Sequence, residues 1–179
     1  MKEMKELSST VFGLLIAYVL PGLTACYGLS LWSPRLNGVV EALVSGQASA
    51  TILVCTILAS ITVGLQLTAV RWLIFERWIC RKHSFTGEEF QQLHVEGKFA
   101  AFRIAIDEQY RYHQFWGGMS IAQLLFFARW ISTHWFPSYQ NFVTIVLVMP
   151  TVELLTLFAA KVAYERYIER SKWILKKET

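Results

Sequence analysis

The chain has 179 residues, of which 54% are apolar and 17% charged, and its mean hydropathy is +0.38. Soluble domains use about 45–50% apolar and about 25% charged residues, so this balance argues against an ordinary soluble domain. It also excludes a disordered, collagen-like or disulfide-rich chain. We therefore expect an all-α, polytopic membrane protein that forms a single membrane domain over residues 1–179.

Four apolar segments, each about 20 residues long, follow one another along the chain. At 1.5 Å of helical rise per residue, each is long enough to cross about 30 Å of hydrocarbon. A soluble fold of this size lacks the volume to bury all four, so they predict four transmembrane helices. The segments run from Val11 to Trp32, from Ala48 to Val70, from Trp116 to Phe136 and from Phe142 to Ala163.

The first connection, Ser33 to Gln47, contains Pro34, Asn37 and Gly38 and is predicted to be a turn-rich link. In the second segment, Ser60-xxx-Gly64 matches the small-xxx-small pattern that permits close helix approach, within one chain or between copies.

The longest polar stretch, residues 71–115, is predicted to be a cytoplasmic helical insertion. Thr86-Gly87-Glu88-Glu89 has the spacing of a capping box, so a helix should follow, with Ala101, Ile104 and Glu108 on one side of it. Gly117-Gly118 predicts a break before the third span, and residues 163–177 predict a helical C-terminal tail.

The distribution of positive charge predicts the orientation. If both termini are cytoplasmic, 15 of the 17 Lys and Arg residues lie on the cytoplasmic side, and only Arg35 and Arg129 do not. Cytoplasmic loops of membrane proteins are enriched in these residues. We therefore expect a multi-pass inner-membrane protein with both termini inside, and its net charge of +4 is no argument for nucleic-acid binding.

Arg129 and Glu153 are the oppositely charged residues that the predicted spans place deep in the bilayer. On an antiparallel helix pair they would differ in depth by about 7–8 Å, which a long arginine side chain can bridge. Intramembrane ionisable residues are candidates for function, although such a pair can also serve only to fix helix register. We therefore predict an intramembrane polar network of Arg129, Glu153 and Gln123.

A polar and aromatic block precedes the third span, and it suits lipid headgroups or a docking partner at the cytoplasmic face. The predicted docking residues are Glu108, Arg111, Tyr112 and His113. The same residue types permit acid–base chemistry, so an enzyme acting at the membrane surface is an alternative, but no catalytic motif supports it.

The three cysteines, Cys26, Cys55 and Cys80, have neither metal-site spacing nor an evident disulfide partner. Leu23-Thr24-Ala25-Cys26 matches a lipobox, but the apolar run continues beyond Cys26, which favours an uncleaved helix. We expect no metal and no cofactor.

The sequence thus favours a membrane-embedded accessory, effector or channel-like component whose cytoplasmic loop docks a partner or signal. A small transporter or transporter subunit using Arg129 and Glu153 is the first alternative. The lipid bilayer, a cytoplasmic protein and further copies of the chain are the expected partners, because four helices alone make a slim bundle.

Overall fold

The structure is a computed structural model that describes residues 15–76, 97–133 and 139–175, together with Gly13, Gly87, Gln91 and Leu93. Every regular element in these ranges is helical. Thr86, Glu88 and Glu89 of the predicted capping box and the thiol Cys80 lie outside the described residues.

Five helices are described, and four of them include π-helical turns that leave the helix uninterrupted. α1 joins Leu15–Val19 to Leu20–Ser30, α2 is Pro34–Val44, and α3 joins Ala50–Arg71 to Trp72–Glu76. α4 joins Lys98–Ala105, Ile106–Tyr110 and Arg111–Thr133, and α5 joins Tyr139–Val143, Thr144–Val148 and Met149–Leu175.

The packing brings α1, α3 and α4 into mutual contact, while α5 packs mainly along α4. At one end of the bundle α1 gives way to α2, and α4 is followed by α5; we call this the Leu31 end. The opposite end, where α3 finishes, is called the Phe75 end. Because α4 and α5 each extend well past Phe75, they form an antiparallel pair beyond it, which we call the stalk.

Small residues allow α1 and α3 to cross in backbone contact. A Cβ atom on Gly22 would overlap the carbonyl of Ser60, and one on Gly64 would overlap the carbonyl of Tyr18. The Ser60-xxx-Gly64 pattern is therefore used within the chain, against α1.

The interior and exterior of the bundle have unusual compositions. On α3 the buried residues are Ser60, Gly64, Leu67 and Arg71, whereas large aliphatic side chains such as Leu53 and Leu58 are exposed. On α5 the same contrast holds, since Thr156 and Ala160 are buried while Leu155 and Phe158 are exposed. A surface this apolar is costly in water and typical of helices surrounded by lipid or by other protein.

Two of the described helices, Ala50–Phe75 and Gln140–Leu175, are long and apolar enough to span a membrane. The described part of α1 is apolar but shorter. α4 is long, but polar residues such as Gln123 and Arg129 lower its hydropathy, and it does not meet the same criterion.

Two expectations about the connections were wrong. The Ser33–Gln47 link contains the helix α2, because Pro34 is accommodated in the first turn and the Asn37 side chain bonds Glu41 at 2.7 Å within the helix. The helix α4 continues through Gly117 and Gly118, which serve close packing: a Cβ on Gly117 would lie 2.7 Å from Arg71 Cδ.

Candidate functional site

A layer of polar side chains lies between α4 and α5. It arises because each helix carries two polar residues that are three positions apart in the sequence. Ser120 and Gln123 lie on one side of α4, as Glu153 and Thr156 do on α5, because residues three apart are neighbours on a helix surface. We call these four residues the polar layer. Two side-chain contacts across the helix interface join them.

Only one of the two carboxylate oxygens of Glu153 has a described hydrogen-bond partner. The Ser120 hydroxyl donates to Glu153 Oε1. The second oxygen, Oε2, is buried and has no hydrogen-bond partner among the residues that the structure describes. A buried acceptor of this kind is the exception in folded proteins, so it marks a position where a proton or another donor would be stabilised.

Gln123 and Thr156 form the second contact of the polar layer. The Thr156 hydroxyl lies 3.1 Å from Gln123 Oε1 and 2.8 Å from the backbone carbonyl of Val152. A hydroxyl has one proton, so it donates to only one of these oxygens at a time. This contact can therefore rearrange without any movement of the helix backbone.

The structure brings Gln123 and Glu153 together but places Arg129 elsewhere. Arg129 Nε donates to the Leu31 carbonyl at 2.9 Å, and the guanidinium lies 5.2 Å from the ring centre of Trp32. Nine residues separate Ser120 from Arg129, which is two and a half helical turns, so Arg129 faces away from α5. The predicted pairing considered depth along the helices but not the direction in which each side chain points.

The predicted docking residues do not form one exposed surface. Tyr112 is exposed, but Arg111 is largely covered, forms an ion pair with Asp107 at 2.8 Å, and lies against Gly13. His113 is only 1% exposed, so its side chain is not part of an exposed docking surface. The side chain of Glu108 lies outside the described residues.

His113 instead belongs to a buried aromatic cluster at the Phe75 end. Its Nδ1 lies 2.9 Å from the Ala160 carbonyl on α5, and its ring centre lies 5.0 Å from that of Tyr164. When Nδ1 carries the hydrogen that this bond requires, the neutral ring presents Nε2 as an acceptor. Nε2 is buried and lacks a hydrogen-bond partner within the described part of the chain.

Burial and charge together keep the His113 ring neutral. Its pKa is lowered from 6.5 to about 4, mainly by desolvation and secondly by the nearby positive charge of Arg71. The bond to the Ala160 carbonyl acts in the opposite direction. His113 precedes the apolar part of α4, and the Arg71 guanidinium lies 5.8 Å from the ring centre of Tyr110.

The lowered pKa of His113 predicts acid sensitivity of the fold. Between pH 6.5 and about 4 the unfolded chain binds a proton at this residue that the folded chain does not, so stability falls as the pH falls. We expect a loss of about 1–3 kcal/mol of unfolding free energy across this window. His113→Gln should lose this part of the pH dependence of the unfolding free energy, which chemical denaturation in detergent at several pH values measures. The exposed neighbour provides a control, Tyr112→Phe, which should keep the wild-type slope; an unchanged slope in His113→Gln would contradict the assignment.

Ser120, Thr156 and Arg71 also belong to this interior, although no sequence pattern had singled them out. Ser120 and His113 are seven residues apart and therefore lie on nearly the same side of α4, which the helical period alone could have shown. The burial of Arg71 could not be inferred, because it depends on the space left by Gly117 on a different helix.

The described residues contain no cluster of three or more His, Cys, Asp or Glu side chains able to hold a metal ion. Comparisons with protein-family models, curated proteins and solved structures give no match to this chain.

Proposed function

We propose that the protein is an inner-membrane protein with four spans and both termini in the cytoplasm. The apolar exteriors of α3 and α5 support lipid contact, and the chain order makes α1, α3, α4 and α5 alternate in direction. Most positive charges then lie at or beyond the Phe75 end, which would be the cytoplasmic end. The stalk would project from the membrane on that side.

Within this topology, the function that the polar layer supports best is proton-linked transport or gating, as a channel-like or transporter component. The main support is the asymmetric hydrogen bonding of Glu153. Its Oε1 accepts from Ser120, whereas its Oε2 is buried without a described partner. Glu153 lies midway along the fourth predicted span, where a charged residue costs at least about 2.5–3.5 kcal/mol to insert. Binding or release of a proton there changes the charge of the α4–α5 interface.

The neighbouring contacts explain how a change of charge at Glu153 would affect the helices. Protonation at Oε2 turns that oxygen from an acceptor into a donor that needs an acceptor of its own, whereas Oε1 can still accept from Ser120. The Thr156 hydroxyl, three residues further along α5, can switch between Gln123 and its own backbone. The polar layer therefore offers two hydrogen-bonding arrangements, which is the property that a gate or an alternating-access step requires.

The test is proton flux into vesicles that contain the purified protein, driven by a pH gradient. We expect Glu153→Gln to lower the flux at least tenfold, because glutamine keeps the shape of the side chain but does not exchange a proton at neutral pH. The matched control is Glu165→Gln on the same helix, since Glu165 is exposed and forms only a 3.8 Å pair with Lys161. Wild-type flux in Glu153→Gln, or no flux through the unmodified protein, would overturn the proposal.

A second candidate function is the docking of a cytoplasmic protein on the stalk. The rings of Phe99 and Trp173 are 63% and 79% exposed, and each lies on one of the two stalk helices. Nearby basic residues such as Arg103, Arg170 and Lys172 favour a partner segment that combines acidic and apolar side chains. The Phe99→Ala variant considered in the Discussion separates this function from stalk stability.

A further inference from the structure

A cavity of about 430 Å³ lies between α1, α2 and α3 at the Leu31 end. Its size falls within the usual range of small-molecule and cofactor sites, about 300–1,000 Å³. It is separate from the polar layer, which lies between α4 and α5.

The helix α2 covers this cavity without being packed into the bundle. Leu36, Val39, Val40 and Leu43 line the cavity, yet α2 contains no buried residue. An 11-residue helix is marginal in isolation and is normally stabilised by the burial of its apolar face. The apolar side of α2 therefore borders space that an apolar molecule would fill.

The chemistry of the walls restricts what that molecule can be. Among the residues described as lining the cavity, none is charged and none is aromatic. The hydroxyls of Ser30 and Thr56 donate to carbonyls of their own helices, at 2.7 and 2.8 Å. The other lining residues with a polar side-chain atom are Thr51, Cys26 and Cys55. The rest of the lining is aliphatic, so the cavity offers few hydrogen-bonding positions for a polar ligand.

We propose that this cavity binds one hydrocarbon chain of a membrane phospholipid, with α2 as its cover. A peptide segment or a second copy of the chain would bring backbone N–H and C=O groups that need partners, which these walls do not supply. A hydrocarbon chain needs none and would complete the burial of the apolar side of α2. Contact with three helices distinguishes this bound hydrocarbon chain from the freely exchanging lipid around the bundle.

The experiment counts lipids that remain bound after the protein leaves a bilayer. Full-length protein is placed in nanodiscs of phosphatidylethanolamine and phosphatidylglycerol, and native mass spectrometry measures the phospholipid retained. We expect one retained phospholipid on the unmodified protein and at least a tenfold lower retained fraction in Val40→Trp, because the indole fills the cavity. Val44→Trp on the same helix is the matched control, since Val44 is 83% exposed and does not line the cavity.

Two further variants make the result decisive. Ala59→Trp fills the cavity from α3 and should lose the lipid as well, which covers the case in which Val40→Trp disturbs α2. Glu153→Gln should retain the lipid, so failure of the proton-flux proposal and failure of this one are distinguishable. The proposal would be overturned if the unmodified protein retained no phospholipid, if both cavity variants retained as much as the unmodified protein, or if Val44→Trp lost as much as the cavity variants.

Discussion

Gly64→Ala is expected to destabilise the protein by about 2–4 kcal/mol, although it adds a single methyl group. The methyl carbon would overlap the Tyr18 carbonyl on α1, and the backbone cannot rotate away as a flexible side chain can. On the other side of the crossing, Gly22 meets the Ser60 carbonyl in the same way. Relief of the overlap requires α1 and α3 to separate, which would loosen contacts along the whole crossing.

Gly38→Ala provides the matched control because it makes the same chemical change in a helix. A Cβ on Gly38 would meet no atom within 4 Å, and alanine is favoured over glycine in helices by about 1 kcal/mol. We therefore expect equal or slightly greater stability for Gly38→Ala. Unfolding of both variants in detergent, followed by circular dichroism, gives the comparison. Equal stability of Gly64→Ala and the unmodified protein would show that the α1–α3 crossing is looser than its geometry implies.

The sequence predicted the helical class and the approximate positions of α1, α3 and α5 because these features depend on composition and hydropathy within one segment. It also identified Gln123 and Glu153, since polar residues are conspicuous in apolar runs. The predicted pairing of Arg129 with Glu153 was wrong. The rise along a helix gives only the depth of a residue, whereas contact also requires the two side chains to face each other. Arg129 is nine residues, or two and a half helical turns, from Ser120, and its side chain therefore points towards Leu31 instead of α5.

Other features depend on contacts between segments that are distant in the sequence, and they could not be inferred from local patterns. Gly117 and Gly118 have the composition of a helix break, but within α4 they make room for Arg71 and Pro21. On α4, Phe102 and Ala105 are buried and Ala101 packs against their cluster, whereas Ile104 is 47% exposed. The buried side is selected by the C-terminal part of α5, which packs there.

That packing makes Phe102 the residue on which the stalk depends most. Phe102 and Ala105 on α4 form a buried cluster with Ile174 and Leu175 at the end of α5. Removal of a buried phenylalanine ring costs about 3–5 kcal/mol, through lost burial and the cavity left behind. Apart from Leu93, the described residues packed on this cluster belong to α4 and α5. We therefore expect Phe102→Ala to separate the stalk locally while the remaining helices stay folded.

Hydrogen exchange followed by mass spectrometry measures this separation segment by segment. In Phe102→Ala, protection of residues 98–110 and 168–175 should fall about a hundredfold or more, as a local loss of about 3 kcal/mol requires, while residues 50–71 keep theirs. The control is Phe99→Ala, three residues earlier on the same helix, where a ring that is 63% exposed is removed and protection should hardly change. If a partner docks on the stalk, Phe99→Ala should weaken its capture by the full-length protein without this loss of protection. Equal loss of protection in the two variants would mean that the cluster around Phe102 does not hold the stalk together.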